Sequence, residues 1–218
     1  MNKKTLTKAF NKLVLTHPDN FIIIFFKAGT GGSSLLRILI SHDELYHSFK
    51  YLGQPDYDDP IRYPDSIEGF YAQAHHGLSF KEQHLACAHV DFHTPWNVIN
   101  DDDTMSYFKL VNQGKTVVLK THDFNLYQKF KNNRCIFIVE DNPLDRGSIS
   151  SKVGNYHSIP EKVFVVNINN LMSKNYDTFL NEYIKLVQEF NLTPRINSVR
   201  SFILMWLERQ ERMKRSLS

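Results

Sequence analysis

The stretch FIIIFFKAGTGGSSLLRIL, residues 21–39, joins three patterns that decide the fold. Its first residues are Ile and Phe without polar alternation, which is typical of a strand buried on both faces of a parallel sheet. A turn rich in glycine and hydroxyl side chains follows, and then a helical segment that is too apolar to lie exposed. We therefore predict a strand over residues 20–26 that leads through the turn into a helix packed against the sheet.

Composition indicates one globular domain. The chain has 218 residues, enough for a single hydrophobic core, and we expect one domain over residues 1–218. Its net charge of +3 suits an anionic ligand but falls short of the clustered charge of a nucleic-acid binder, so we expect no nucleic-acid partner. The N-terminus lacks the apolar core of a signal peptide, and FIIIFF is too short to span a bilayer, which takes about 20 apolar residues. Cys87 and Cys135 have no CxxC spacing, which favours free thiols and a cytoplasmic location without membrane association.

Strand and helix patterns alternate along the rest of the chain. Residues 51–66 hold three prolines and a glycine and are predicted to form a long surface loop. The alternation implies βαβ units and a three-layer α/β/α sandwich with a mostly parallel central sheet. The predicted strands are 20–26, 85–92, 116–120, 135–140 and 162–168. The predicted helices are 4–15, the segment after the glycine turn, 66–76, 124–132, 176–190 and 197–215. Two more helices are predicted from their ends, an Asp-capped helix within 101–114 closed by Gly114 and a helix started by Pro143.

The first candidate site is the turn after the first strand. Glycines let consecutive backbone N–H groups point at an anion, the following helix adds the positive end of its dipole, and a lysine ammonium can reach a phosphate oxygen. The alternative is a turn that only ends the strand and caps the helix. A standard ATP or GTP loop would need a lysine directly after the last glycine, and none is present. The predicted phosphate-binding residues are Lys27, Ala28, Gly29, Thr30, Gly31, Gly32, Ser33 and Ser34.

The second candidate is VVLKTHDF, where Lys120 and His122 leave the end of a predicted strand with side chains on the same face. Histidine can remove a proton from a hydroxyl near neutral pH, and a neighbouring lysine can stabilise charge on a transferred group. The alternative is a structural histidine at a strand end.

The third candidate is CIFIVEDNPLDRGSISSK, a predicted strand that runs into a helix started by proline. The first turns of that helix would offer N–H groups, the hydroxyls of Ser148 and Ser150, and the Arg146 guanidinium to a second anion. A solvated helix end with capping serines is an equal alternative.

A histidine-rich segment, residues 75–93, forms a rival cluster. His89, Asp91 and His93 alternate, so on a strand they would share one face, as half of a metal site does. Such a face more often lines a polar cleft, and we expect no metal.

In this order the three candidate stretches resemble the sulfotransferase family, which transfers a sulfuryl group from 3′-phosphoadenosine 5′-phosphosulfate (PAPS) to a hydroxyl or amine. The family's 5′-phosphosulfate loop is similar to PKSGTT, and FKAGTG places Lys27, Gly29 and Thr30 on its matching positions. The KTH strand end that holds the catalytic base in the cytosolic branch matches Lys120 and His122 letter for letter.

The family's 3′-phosphate motif RNPxDxxxS is matched in part by DNPLDRGSIS. Asp141 stands where the family has arginine, and a carboxylate repels a phosphate. Ile149 stands at the family serine, between Ser148 and Ser150, and the C-terminal RKG element is absent from the sequence. Arg146 or Lys152 would then hold the 3′-phosphate, or the site accepts a different nucleotide.

The resemblance implies a P-loop-like nucleotide-binding fold, PAPS as co-substrate, and a small-molecule or carbohydrate acceptor. It gives His122 the acceptor proton, Lys27 the phosphate of the departing nucleotide, and Lys120 the sulfuryl oxygens. His89 is the second candidate base, because AHVDFH is similar to a GHV segment of carbohydrate sulfotransferases. A P-loop kinase and a non-catalytic member that binds a nucleotide or a protein are the alternative functions.

Overall fold

A computed structural model describes residues 3–26, 31–46, 101–139 and 163–216. The strands are β1 Phe21–Phe25, β2 Leu45–Tyr46, β3 Thr116–Thr121, β4 Arg134–Val139 and β5 Phe164–Asn167. The helices are α1 Lys3–Thr16, α2 Gly32–Ile40, α3 Asp101–Asn112, α4 Leu126–Phe130, α5 Ile168–Leu171, α6 Tyr176–Phe190 and α7 Ile196–Ser216. The predicted loop over 51–66, helix over 66–76, strand over 85–92 and helix at Pro143 lie outside the described residues.

The described strands form one sheet in the order β2-β3-β1-β4-β5, and every pairing is parallel. β1 lies at the centre, with Ile24 opposite Lys120 on β3 and Ile22 opposite Arg134 on β4. This arrangement confirms the predicted α/β class.

The two faces of β1 are covered by different helices, which explains why FIIIFF has no polar alternation. Phe21, Ile23 and Phe25 pack in a core with α1, α3 and α4. Ile22 and Ile24 pack in a second core with α2, α6 and α7. The three-layer sandwich predicted from the sequence is therefore confirmed within the described ranges.

The carboxyl ends of β1 and β3 lie side by side, but the chain leaves them toward opposite faces of the sheet. β1 leads to α2 in one core, whereas β3 leads to α4 in the other. In open parallel sheets such a switch of direction opens a crevice beyond the strand ends, where ligands bind. The fold thus brings the first two candidate stretches to one edge.

The C-terminal end of α3 tests a local prediction. Gly114 has a φ of +71°, its N–H donates to Val111 O, and the Lys115 N–H donates to Leu110 O, which confirms the predicted glycine closure of α3. The predicted aspartate cap stays a prediction, because α3 begins at Asp101 and the residue before it lies outside the described ranges.

The helix predicted over 124–132 is shorter than expected. Thr121 Oγ1 accepts a hydrogen bond from the Asp123 N–H, and Asp123 Oδ1 accepts one from the Asn125 N–H. These side-chain bonds turn the chain in place of a helical turn, so α4 starts only at Leu126. Among the described helices, none combines the length and the apolar character needed to cross a bilayer.

Candidate functional site

The candidate site lies where the ends of β1 and β3 are tied together. The Phe26 N–H donates to Thr121 O at 3.2 Å, which extends the strand pairing by one residue. Beyond this bond, the Phe26 carbonyl faces the His122 side chain, and His122 Nδ1 lies 3.1 Å from Phe26 O. Phe26 directly precedes Lys27, so the two candidate stretches meet at this point.

The Phe26 carbonyl determines which nitrogen of His122 carries the proton. A carbonyl oxygen can only accept, so a hydrogen bond at 3.1 Å requires the proton on Nδ1. In the neutral imidazole the lone pair is then on Nε2, the nitrogen on the far side of the ring. A half-buried histidine held in this tautomer has the form of a general base.

The side chains of His122 and Lys120 both lie close to the Phe26 ring. Its centroid lies 4.1 Å from that of the His122 ring, and the Lys120 Nζ lies 5.9 Å from the same centroid, within cation–π range. Phe26 is 3% exposed and Lys120 is fully buried. Because burying an ammonium group costs several kcal/mol unless it is compensated, a buried lysine at a strand end is a candidate functional residue.

Two glycines of the turn are required by close packing. Gly31, with a φ of +82°, precedes the first residue of α2, and a Cβ there would lie 2.9 Å from Cγ1 of Ile168. A Cβ on Gly32 would lie 2.3 Å from the Phe26 ring. The start of α2 therefore sits directly on Phe26, and its first-turn N–H groups, which have no partner within the helix, belong to the same edge of the sheet.

The structure brings together the part of the predicted site that it describes. At this edge lie Gly31, Gly32, the backbone of Ser33, the buried Ser34, Lys120 and His122. The other predicted site residues are outside the described ranges, namely Lys27, Ala28, Gly29, Thr30, Arg146, Ser148 and Ser150, and so are Asp141, His89, Asp91 and His93.

Sequence reasoning missed Phe26 as a site residue. The signal was its place directly before Lys27, where the family loop has proline. Because proline has no N–H, it could not make the bond to Thr121 O that this chain makes.

A second histidine, His42, forms a buried polar network that the sequence did not indicate. Its Nδ1 lies 2.9 Å from Thr193 O, and its Nε2 lies 3.3 Å from the Tyr183 hydroxyl. That hydroxyl in turn accepts the Arg195 N–H at 2.7 Å, and burial raises the pKa of Tyr183. The network joins the α2–β2 turn to the α6–α7 connection, which makes it a structural clamp.

At the opposite edge of the sheet lies a groove of about 470 Å³ beside the amino ends of β4 and β5. Two of its polar residues hold the fold together, because Arg134 donates to Asp19 O and Thr116 Oγ1, and Asn133 donates to Val14 O. Burial raises the pKa of the Cys135 thiol to about 12, so this thiol is protonated and unreactive at neutral pH. We assign no chemistry to this groove.

A scan against protein-family models, a search of curated proteins and a search of solved structures found no match to this chain. The case for a function therefore depends on the motif letters and on the geometry at the β1–β3 edge.

Proposed function

We propose that the protein is a sulfotransferase that uses PAPS as donor and a hydroxyl or amine as acceptor. His122 is the general base, Lys27 stabilises the departing nucleotide, and Lys120 steadies the sulfuryl oxygens. The N–H groups of residues 29–34 hold the 5′ end of the donor, and Arg146, Ser148 and Ser150 hold the 3′-phosphate.

The observation that carries the proposal is the hydrogen bond from His122 Nδ1 to Phe26 O. It orients a histidine with its lone pair on Nε2, at the carboxyl edge of a parallel sheet, next in space to the residue that precedes Lys27. A histidine with its lone pair on Nε2 and the glycines before α2 lie at one edge of the sheet. This proximity supports a base acting beside an anion-binding turn, as transfer to a hydroxyl requires.

The chemistry follows from these positions. His122 Nε2 takes the acceptor proton as the acceptor oxygen forms a bond to sulfur. The bond between sulfur and the bridging phosphate oxygen breaks, and the electron pair leaves on the nucleotide 5′-phosphate. The negative charge that develops there is stabilised by the Lys27 ammonium and the first N–H groups of α2. As in phosphoryl transfer, positioning and charge stabilisation supply most of the rate.

Asp141 is the residue that favours the non-catalytic alternative. A carboxylate at the position of the family arginine weakens 3′-phosphate binding unless Arg146 or Lys152 compensates. A member without that compensation would bind a nucleotide or a protein without transfer.

The test is transfer of a radiolabelled sulfuryl group from PAPS to a panel of phenols and sugars. Wild type should label at least one acceptor, and Lys27→Ala and His122→Ala should lose this activity while they keep the fold by circular dichroism. Lys129→Ala, which removes an exposed lysine from α4, is the matched control and should retain activity. Near-normal turnover in either site variant would overturn the assignment.

A further inference from the structure

We propose that Phe26 is a positioning residue that fixes both the tautomer and the ring plane of His122. The catalytic meaning of this inference rests on the proposed function, but the positioning itself does not. Its observable basis is a pair of contacts from one residue, through its carbonyl and through its ring.

The backbone contact depends on how Phe26 is held. Its N–H donates to Thr121 O, and its carbonyl accepts from His122 Nδ1. Both backbone polar groups of Phe26 therefore bond to consecutive residues, the last residue of β3 and the residue after it. The two bonds fix the carbonyl relative to the strand. The His122 proton is therefore directed to Nδ1 by an acceptor that cannot turn away.

The ring contact restricts the imidazole from its face. The two ring planes meet at 50° with centroids 4.1 Å apart, which is closer than most aromatic pairs. Gly32 also lies against the Phe26 ring, since even a Cβ at that position would collide with it. A ring confined in this way leaves His122 few side-chain rotamers.

Substitution of Phe26 by leucine distinguishes the effect of the Phe26 ring on His122 from a general loss of core packing. Phe26→Leu keeps the backbone N–H and carbonyl but removes the flat ring beside His122 and Lys120. Phe25→Leu is the matched control, because Phe25 is fully buried on the opposite face of the same strand, against Phe124, Tyr127 and Phe137. Both variants lose an aromatic ring from a core, and only Phe26 borders His122.

The experiment is nitrogen-15 NMR of the full chain, with the His122 signals assigned by their loss in His122→Gln. Wild type should show a protonated Nδ1 and an unprotonated Nε2. Without the Phe26 ring against its face, the His122 imidazole can rotate away from the retained Phe26 carbonyl, so in Phe26→Leu the two nitrogens should move toward the averaged shifts of a mobile tautomer mixture. In Phe25→Leu they should stay at the wild-type positions. If Phe26→Leu does not fold, Phe26→Met takes its place, because methionine fills irregular apolar space.

Transfer kinetics supply the second measurement. A misplaced base should lower kcat by about tenfold to a hundredfold in Phe26→Leu, with the KM for the donor within about twofold of wild type. Unchanged His122 shifts in Phe26→Leu, or the same change in Phe25→Leu, would overturn the inference. A tautomer change confined to Phe26→Leu in a protein that transfers nothing would support the positioning and contradict the proposed function.

Discussion

The histidines His42 and His122 each place Nδ1 near a backbone carbonyl, but their surroundings differ. His42 is fully buried, and its Nε2 lies against the Tyr183 hydroxyl inside a network that joins two turns. His122 is half-buried at the carboxyl ends of β1 and β3, with its Nδ1 on Phe26 O. The same kind of hydrogen bond therefore belongs to a clamp at His42 and orients the proposed base at His122.

This comparison shows that a carbonyl partner alone does not identify a functional histidine. What distinguishes His122 is its place directly after β3, at the strand ends where the chain leaves toward opposite faces of the sheet. The comparison predicts that changes around His122 alter transfer, whereas changes around His42 alter stability.

The largest expected effect is on catalysis. His122→Ala should lower the rate of sulfuryl transfer by about 10²–10⁴-fold, because it removes the proposed general base. Its free energy of unfolding, measured by urea denaturation, should stay within about 1 kcal/mol of wild type, as expected for a partly exposed side chain. A large loss of stability with little loss of transfer would place His122 in the same structural class as His42.

The converse substitution, His42→Ala, should destabilise the fold by about 2–4 kcal/mol. It leaves Thr193 O without its imidazole donor, removes one of the hydrogen-bond partners of the Tyr183 hydroxyl and opens a cavity between the two turns. Urea denaturation measures this loss, and Tyr183→Phe should show a smaller one. Transfer per folded molecule should stay within about twofold of wild type, and a selective loss of transfer would contradict the clamp role.

Gly32→Ala should affect both stability and transfer. The new methyl group would collide with the Phe26 ring, and overpacking of this kind costs about 1–3 kcal/mol. Because the displaced ring borders His122, the transfer rate should fall as well. Gly114→Ala is the control, since its Cβ meets open space and only the φ of +71° adds strain of about 1–2 kcal/mol, with no effect on transfer per folded molecule. Equal transfer rates per folded molecule in the two variants would mean that the position of the Phe26 ring does not affect transfer.

The last expected effect, which is absent at neutral pH, is an alkaline loss of stability at Cys135. Burial raises its pKa from the ordinary value of 9.0 to about 12. Above pH 9 the unfolded chain releases a proton that the folded chain retains, so the free energy of unfolding falls as the pH rises toward 12. Below pH 9 the contribution is fully present. Cys135→Ala should flatten this decline by up to about 1.4 kcal/mol per pH unit in urea titrations between pH 9 and 11. If the free energy of unfolding falls with pH equally in Cys135→Ala and wild type, burial does not raise the pKa of the Cys135 thiol.

Much of the fold could be predicted because its signals are local. The unbroken FIIIFF run gave β1, and the apolar period of the C-terminal third gave α6 with the predicted bounds of 176 and 190. The two-residue β2 and the four-residue α5 were not predicted, because such short elements carry no period of their own.

The candidate site could be predicted only as separate stretches. Lys120 and His122 were identified from chemistry and spacing, but the bond between His122 and Phe26 joins residues 96 positions apart. The His42 clamp spans 151 positions to Thr193 and has no motif at either end. Contacts of this length are set by the sheet order, which a single sequence does not encode in any local pattern.

The central claim is that the β1–β3 edge binds a sulfotransferase donor nucleotide. Calorimetric titration of the full chain with 3′-phosphoadenosine 5′-phosphate and, separately, with ATP tests it without knowledge of the acceptor. We predict binding of the first nucleotide, no binding of ATP, and an affinity at least about tenfold weaker in Lys27→Ala, which corresponds to about 1.4 kcal/mol. Binding of ATP alone would indicate a phosphotransferase, and binding of neither nucleotide would contradict the proposed function.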